Sequence, residues 1–275
     1  MARLDIILES KLFLIGLSIL VGLTLIAVFT EYIAPYDPIA QEFKPKLPPS
    51  PKHILGTDEL GRDVFSRLIY GSRITLYVAL VSVGLACLIG VPLGLVAGYY
   101  GGWIDKAITF LIDLMLSFPA IILTILITAM LGPSLTNAMI AISIAFSPRI
   151  ARIVRGQVLA VREEDYVIAI KAMGASGAYT MVRHVLPNSI APLLVQVTLA
   201  LGTAVLIESA LAFLGLSAQP PTPSWGDMLN RGRRYIYTAP WMITAPGIMI
   251  TLAVLGFNLL GDGLRDLLDP RLRRL

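Results

Sequence analysis

The sequence predicts an all-α membrane protein with six transmembrane helices. Hydrophobic residues make up 56% of its 275 residues and charged residues only 15%, whereas about 25% of the residues of a soluble domain are charged. The charges are clustered, so that the uncharged stretches 74–104 and 114–148 exceed the roughly 20 residues that cross a bilayer as a helix. The sequence lacks the alternating segments of about ten residues that are typical of a membrane β-barrel.

The predicted spans follow from these stretches and from the turn signals between them. Gly132-Pro133 divides the stretch 114–148 into the third and fourth spans, because this dipeptide marks a turn. The first apolar stretch is interpreted as a retained span, since it is long and lacks a clear cleavage site of small residues. In chain order the spans cover about residues 12–31, 75–100, the two halves of 114–148, 189–215 and 241–261.

The distribution of lysine and arginine sets the predicted orientation. With a cytoplasmic N-terminus, the dense arginine clusters at 149–155 and 271–274 both lie on the cytoplasmic side. Both termini are therefore predicted to be cytoplasmic. The predicted domains are the N-terminus with the first helix (1–32), an extracytoplasmic loop with an amphipathic helix (33–73), a core of five transmembrane helices (74–262) and a cytoplasmic tail (263–275).

Residues 56–73 of the first outer loop are predicted to form the amphipathic helix and to lie along the outer face of the membrane. Thr57 or Asp58 can cap its start, because both side chains accept hydrogen bonds from the free N–H groups at a helix N-terminus. The apolar stripe of this helix consists of Val64, Phe65, Leu68 and Ile69.

A polar segment at 163–187 separates the fourth and fifth spans and is predicted to be a cytoplasmic helix–turn–helix. Its first helix ends at Gly174, a residue type that is favoured at helix C-termini. Ser176 can cap a second helix at 177–185, and the Leu-Pro pair at 186–187 ends it, because proline disfavours a helical conformation of the residue before it. Small residues on its surface would let another protein approach closely, which suits a docking surface. The alternative is a structured loop that only connects the two spans.

The stretch "VIAIKAMGASGAYTMVRHVLP" resembles the coupling motif through which ABC importer permeases contact their ATPases. That motif reads Glu-Ala-Ala, three residues, Gly, nine residues, an apolar residue, one more residue and Leu-Pro. This chain departs from it at Ile168 in place of Glu, Ile170 in place of the second Ala and His184 in place of the apolar residue. Glu163 or Glu164 could substitute for the missing Glu. The resemblance implies that Glu164, Ala169, Ala172, Gly174, Ala175, His184, Leu186 and Pro187 contact an ATPase.

Four further stretches resemble the C-type permease subunits of the peptide and nickel importer group. They are "LGTDELGRDVFSRLIYGSR", "GVPLGLVAGYYGGWID", "FLGLSAQPPTPSWGDML" and "FNLLGDGLRDLLDPR", and the resemblance covers nearly the whole chain from about residue 31. It implies the type I ABC importer permease architecture in a prokaryotic inner (plasma) membrane. The implied partners are a homologous B-type permease, two cytoplasmic ATPase subunits and an extracytoplasmic solute-binding protein. The implied cargo is a di- or oligopeptide, with nickel or a metal chelate as the first alternative and an oligosaccharide or glutathione as further alternatives.

The chain is predicted to be non-catalytic and to hold no cofactor. It lacks a phosphate-binding loop of the G-x-x-x-x-G-K-[ST] kind, so ATP and Mg²⁺ would be bound by the partner ATPases. A secondary transporter and an intramembrane enzyme are the alternatives from other classes. The first favours broken helices in paired repeats, and the second needs His, Asp or Ser side chains that converge at one depth. Neither pattern is evident, and the net charge of +4 makes nucleic acid a poor partner.

Ionisable residues inside the predicted spans are the candidates for the translocation pathway, because a charge in the membrane is costly and such residues are therefore rare outside functional sites. These candidates are Asp113 and Glu208, and the alternative for each is a hydrogen bond that links two helices.

Two further sets of polar side chains receive interpretations without a catalytic or metal role. The arginines at positions 149, 152 and 155 are interpreted as anchors to anionic lipid headgroups rather than as phosphate ligands. No metal site is predicted, because His53 and His184 lie on opposite sides of the membrane.

Overall fold

The computed structural model describes residues 10–268, and the predicted cytoplasmic ends at 1–9 and 269–275 lie outside the described residues. Within this range the chain forms no β-strand, and the predicted all-α class is confirmed. In chain order the α-helices are α1 (Lys11–Val28), α2 (Thr30–Ile33), α3 (Val64–Tyr100), α4 (Gly102–Leu116), α5 (Ala120–Leu131), α6 (Leu135–Val161), α7 (Asp165–Ala172), α8 (Gly177–Thr180), α9 (Leu186–Asn188), α10 (Ile190–Phe213), α11 (Trp225–Gly232) and α12 (Trp241–Leu268).

The helices provide up to six membrane spans by length and composition. Five single helices are long and apolar enough to cross a membrane, namely α1, α3, α6, α10 and α12. The sixth span would be the pair of α4 and α5, which is bent by 88° at a short break. This count agrees with the six predicted spans.

The third predicted span is a broken helix rather than a single one. Helix α4 ends at Leu116 and α5 begins at Ala120. Between them, Pro119 has a ψ of 129° and no N–H to donate, so the helical hydrogen bonds cannot continue through it. The turn at Gly132 ends α5 as predicted, and the Ser134 side chain then caps α6.

The predicted amphipathic helix at 56–73 does not form as a separate element. Helix α3 runs from Val64 to Tyr100 over 37 residues, so that the outer-loop helix and the second span are one. The cap is Asp63, whose carboxylate accepts a hydrogen bond from a backbone N–H of the first turn at 2.8 Å. The prediction of Thr57 or Asp58 as the cap is wrong. The Thr57 hydroxyl donates to the carbonyl of Lys44 in the preceding loop, and the Asp58 carboxylate accepts from backbone N–H groups of the turn before α3.

The centre of the bundle is the contact between α3 and α6. Gly90, Gly94 and Gly98 form a stripe on α3 that faces α6. A Cβ atom at Gly90 would lie 2.6 Å from the carbonyl oxygen of Ser147, and one at Gly98 would lie 2.8 Å from the Cβ of Val158. Only glycine allows this approach, and close backbone packing is what holds helices together where lipid removes the hydrophobic driving force.

The remaining long helices surround this pair. Helix α10 packs against α12, α3 and α6, while α1 lies on α12 and α3. The short helix α11 covers α10 and α12 at the end where the loops follow the fifth span. The bundle therefore places a loop layer around α11 at one end of the spans and the segment α7–α9 at the other end.

Candidate functional site

The segment between α6 and α10 begins with a helix and a glycine turn, as predicted. Gly174 has a φ of +88°, a left-handed conformation that favours glycine. Its N–H donates to the carbonyl of Lys171 at 3.0 Å, and the N–H of Ala175 donates to the carbonyl of Ile170 at 3.3 Å. These bonds satisfy two carbonyl groups at the end of α7. The Ser176 hydroxyl then accepts a backbone hydrogen bond and caps α8, as predicted.

The second half of the segment differs from the prediction. Instead of stopping at the Leu-Pro pair, the chain passes from α8 through a π-helical turn at Met181–Val185 into α9. Pro187 lies in the first turn of α9, where its missing N–H leaves no helical hydrogen bond unmade. The predicted stop at 186–187 is wrong, because α9 starts anew at Leu186 after the π-helical turn, and proline is tolerated in the first turn of a helix.

The outward surface of this segment is open and partly apolar. Met173 is 79% exposed and Ile168 is 51% exposed, while Val167 and Val185 face inward and are fully buried. The contact of this surface with an ATPase stays a prediction. Of the residues that the resemblance assigns to it, Glu164, Ala169, Ala172, Gly174 and Pro187 are exposed, and Ala175, His184 and Leu186 are partly buried.

The segment rests on one end of α3. The Nζ atom of Lys171 lies 4.9 Å from the ring centroid of Tyr99. Just before the segment, the Arg162 guanidinium donates to the carbonyl of Gly98 at 2.8 Å. A displacement of the segment would therefore act directly on α3.

Glu208 lies on α10 with 0% of its surface exposed. Its carboxylate accepts hydrogen bonds from the Ser217 hydroxyl at 3.2 Å and from the Thr75 hydroxyl at 3.5 Å. The side chain thus links α10 to α3 and to the loop after α10, which is the helix-linking alternative raised by the sequence. A role in the pathway stays a prediction, and the burial of Glu208 does not favour it.

The three arginines of α6 differ in their partners. Arg152 pairs with Asp113 of α4, whose carboxylate is half-exposed. Arg155 pairs with Asp105 of α4, with 2.7 Å between Nη2 and Oδ2. Among the described residues, Arg149 forms no ion pair. Helix α4 runs back along α6 and brings two carboxylates against Arg152 and Arg155, which the sequence did not indicate. The lipid-anchor interpretation stays a prediction.

Asp113 is therefore held in an ion pair between α4 and α6. Its place in the translocation pathway stays a prediction, since a half-exposed carboxylate at this position could face either water or a partner subunit.

A layer of buried charge joins the loop before α3 to the loop around α11, and the sequence did not predict it. The guanidinium of Arg67 is buried at the start of α3, donates to the carbonyl of Pro38 at 2.9 Å and lies 3.7 Å from the Asp227 carboxylate of α11. Trp225 is fully buried, and its Nε1–H donates to the carbonyl of Leu68 at 2.9 Å. The charges of both signs within 56–73 were the sequence signal for this layer. They pair with one another and with Asp227 inside the folded loops instead of facing the membrane surface.

Arg231 connects the same two loops. Burial lowers the pKa of Arg231, but hydrogen bonds from its guanidinium to Asp227 and Glu59 raise the pKa above its ordinary value. The side chain is thus a permanent cation that ties α11 to the turn before α3.

Within residues 10–268, no three His, Cys, Asp or Glu side chains lie close enough together to hold a metal ion. The His53 Nδ1 atom lies 3.0 Å from the Asp63 carboxylate. His184 instead lies beside Tyr179, with 5.5 Å between the ring centroids. The two histidines therefore belong to separate parts of the fold.

Two family models match the chain. The model of the binding-protein-dependent transport system inner membrane component matches residues 90–274. The model of the N-terminal transmembrane domain of oligopeptide transport permease C matches residues 6–49. Together they cover most of the sequence.

Relatives match the chain over nearly their full length. The dipeptide transport system permease protein DppC of Alkalihalophilus pseudofirmus is 47% identical, and the match covers 96% of this chain and 88% of the relative. The probable D,D-dipeptide transport system permease protein DdpC of Escherichia coli is 44% identical, with 95% and 88% covered. The glutathione transport system permease protein GsiD of Pectobacterium atrosepticum is 42% identical, with 94% and 86% covered.

A solved structure shares the fold. The inward-facing MetNI methionine ABC transporter matches 74% of this chain and 96% of its own chain, with a TM-score of 0.58 and 24% identity. This likeness supports the type I importer permease architecture. The chain belongs to the family of inner-membrane components of binding-protein-dependent transport systems, as a C-type permease.

Proposed function

We propose that this chain is the transmembrane subunit of an ATP-driven importer for di- or oligopeptides. The observation that carries the peptide assignment is the match, over nearly the whole chain, to permeases that are named for dipeptide transport. The relatives described above are peptide or glutathione permeases, so nickel or a metal chelate is the less favoured cargo. The chain itself supplies no catalytic group, and ATP and Mg²⁺ belong to its partners.

The proposed mechanism converts ATP binding into a tilt of the spans. Two ATPase subunits close around ATP, and each holds a permease segment equivalent to α7–α9 in a surface groove. The segment moves with the ATPase and acts on α3 through Tyr99 and Gly98, whose contacts with Lys171 and Arg162 support this step. The cavity shared with a homologous B-type permease then opens toward the binding protein, and hydrolysis resets it.

The orientation is part of the same proposal. The segment α7–α9 lies in the cytoplasm, with both termini on that side of the inner (plasma) membrane. The loop layer that contains Trp225 and Arg67 faces the extracytoplasmic binding protein.

The first experiment is purification of the chain from its own cells in mild detergent, followed by mass spectrometry of the proteins that accompany it. We expect a second six-span permease and ATPases with phosphate-binding loops. Recovery of the chain alone or as a homo-oligomer, under conditions that preserve other membrane complexes, would contradict the proposal.

The second experiment identifies the cargo. The purified complex is reconstituted into vesicles with its binding protein, and the uptake of labelled dipeptide, tetrapeptide, glutathione and Ni²⁺ is compared with and without ATP. We expect ATP-dependent uptake of a peptide. Uptake of Ni²⁺ but of no peptide would contradict the peptide assignment while leaving the importer class intact.

A further inference from the structure

We propose that Arg149 is the anion-binding residue of a solute site at the break between α4 and α5, where it binds the terminal carboxylate of the transported peptide. This inference rests on the proposed peptide import and adds to it a named site and a named recognised group.

The site is a cavity of about 290 Å³ between α4, α5, α6 and α10. Met115, Phe118 and Phe146 are among its apolar lining residues, and Arg149, Gln196 and Thr203 are its polar ones. This volume is at the small end of the range for ligand pockets, which begins at about 300 Å³. It therefore suits one terminal residue of a peptide and leaves the rest of the solute to the space shared with a partner permease.

Arg149 is distinguished from its neighbours by its free charge. Arg152 and Arg155 follow it on the same helix, and each is neutralised by a carboxylate of α4. Arg149 has no such partner among residues 10–268, and its exposed side chain lines the cavity. Of the three arginines of α6, the one without a carboxylate partner among residues 10–268 is thus the one that lies where a solute could supply that partner.

The chemistry of the cavity fits a carboxylate with an apolar neighbour. A guanidinium binds a carboxylate through two parallel N–H···O hydrogen bonds, and the apolar walls can accept a side chain. Gln196 and Thr203 can bond to a peptide group. Helix α5 begins in the lining at Ala120 without a side-chain cap, and its free N–H groups add positive potential.

The test measures the preference for a free carboxylate. The full importer is reconstituted with its binding protein, and the uptake of a dipeptide is compared with that of its C-terminal amide at concentrations that load the binding protein equally. Wild type is expected to import the acid about tenfold faster, which is the lower range for a hydrogen-bonded charge. Arg149→Gln is expected to import both at the rate of the amide.

Two further variants control for structure. Arg152→Gln removes an arginine from the same helix and is expected to keep the acid-to-amide ratio of wild type. Arg149→Lys keeps the charge but loses the bidentate geometry, and an intermediate ratio is expected. Binding-protein-stimulated ATPase activity reports assembly. If the Arg149→Gln importer does not assemble, the acid-to-amide uptake ratio of Arg149→Lys is the test. A ratio equal to that of wild type then overturns the proposed site.

The outcomes separate this site from the proposed function. An unchanged ratio in an assembled Arg149→Gln importer that still imports peptide overturns the site and leaves peptide import intact. Absence of peptide import by wild type overturns both. Lipid phosphate offers Arg149 the same chemistry, so the uptake is repeated in phosphatidylcholine vesicles with and without phosphatidylglycerol. The solute site is also overturned if Arg149→Gln lowers uptake only in vesicles that contain phosphatidylglycerol and leaves the acid-to-amide uptake ratio unchanged.

Discussion

At Gly174, a backbone angle determines the shape of the segment between α6 and α10. Gly174 has a left-handed backbone conformation, and nothing lies within 4 Å of a Cβ atom added there. A large side chain at this position would therefore project from the segment and clash with a protein that docks on it. We expect Gly174→Trp to abolish ATP-driven uptake while the complex still assembles, since left-handed strain costs only about 1–2 kcal/mol. Uptake into vesicles and co-purification of the ATPases measure the two effects.

Gly102 provides the matched control for that substitution. Its φ is +57°, and an added Cβ atom there also has nothing within 4 Å, so Gly102→Trp carries comparable strain outside the segment. We expect it to retain most of the uptake. Full uptake by Gly174→Trp would rule out a docking role for this turn.

The hydrogen bonds of Glu208 lead us to expect that removing its charge and removing its acceptor oxygens affect thermal stability differently. Glu208→Gln keeps an oxygen for the hydroxyls of Ser217 and Thr75, so we expect little change in the thermal unfolding midpoint. Glu208→Leu leaves both hydroxyls without their acceptor, at about 1–3 kcal/mol each, so the midpoint should fall by several degrees. Differential scanning fluorimetry in detergent measures both. Slow uptake by Glu208→Gln with an unchanged midpoint would instead place Glu208 in the pathway.

At the scale of the helices, the contact between α3 and α6 depends on small residues in one stripe. A Cβ atom at Gly94 would lie 2.9 Å from the Cβ of Val154, whereas one at Gly84 on the same helix meets nothing within 4 Å. We expect Gly94→Leu to lower the unfolding midpoint strongly, because overpacking costs about 1–3 kcal/mol or more. Gly84→Leu should leave it nearly unchanged. Equal midpoints for the two variants would contradict the packing described for α3.

Helix existence was predictable, but several helix ends were not. Uncharged stretches of the right length reveal a span, and Gly132-Pro133 marked the end of α5 because its turn signal is local. The break at Pro119 has a local signal in its proline, but a proline can kink a helix without ending it, so the bend of 88° did not follow from that signal. The start of α3 was missed because it depends on how the turn before Val64 folds, which uses contacts from the preceding loop.

At the scale of the whole chain, the orientation can be tested with cysteines. Cys87 is the single cysteine and can be replaced by Ala. We then expect a membrane-impermeant maleimide to label Tyr237→Cys in intact spheroplasts, since Tyr237 is 98% exposed and lies in a loop that the proposed topology places outside the cytoplasm. Glu163→Cys, next to α7, should be labelled only after permeabilisation. The reverse pattern would invert the proposed topology.

The candidate site was predictable where its signal is contiguous. The segment at 163–187 follows from spacing within one stretch, so its turn at Gly174 and its cap at Ser176 were foreseen. The pairs that join Arg152 and Arg155 to α4 form between residues far apart in sequence, and so does the bond from Trp225 to Leu68. Such contacts depend on the packing of helices, which no local pattern encodes.

The length of α3 has a mechanical consequence. Its 37 residues extend about 55 Å, nearly twice the hydrocarbon thickness of roughly 30 Å. Near one end of α3, the carbonyl of Leu68 accepts a hydrogen bond from Trp225. At the other end, the ring of Tyr99 contacts the ammonium group of Lys171. Pivoting such a rod by about 10° would swing one end by about 10 Å relative to the other. Coupling between two binding sites is reciprocal. A protein that binds the loops around Trp225 should therefore change the affinity of the segment α7–α9 for its own partner, and that partner should change the affinity of the loops for the first protein by the same factor.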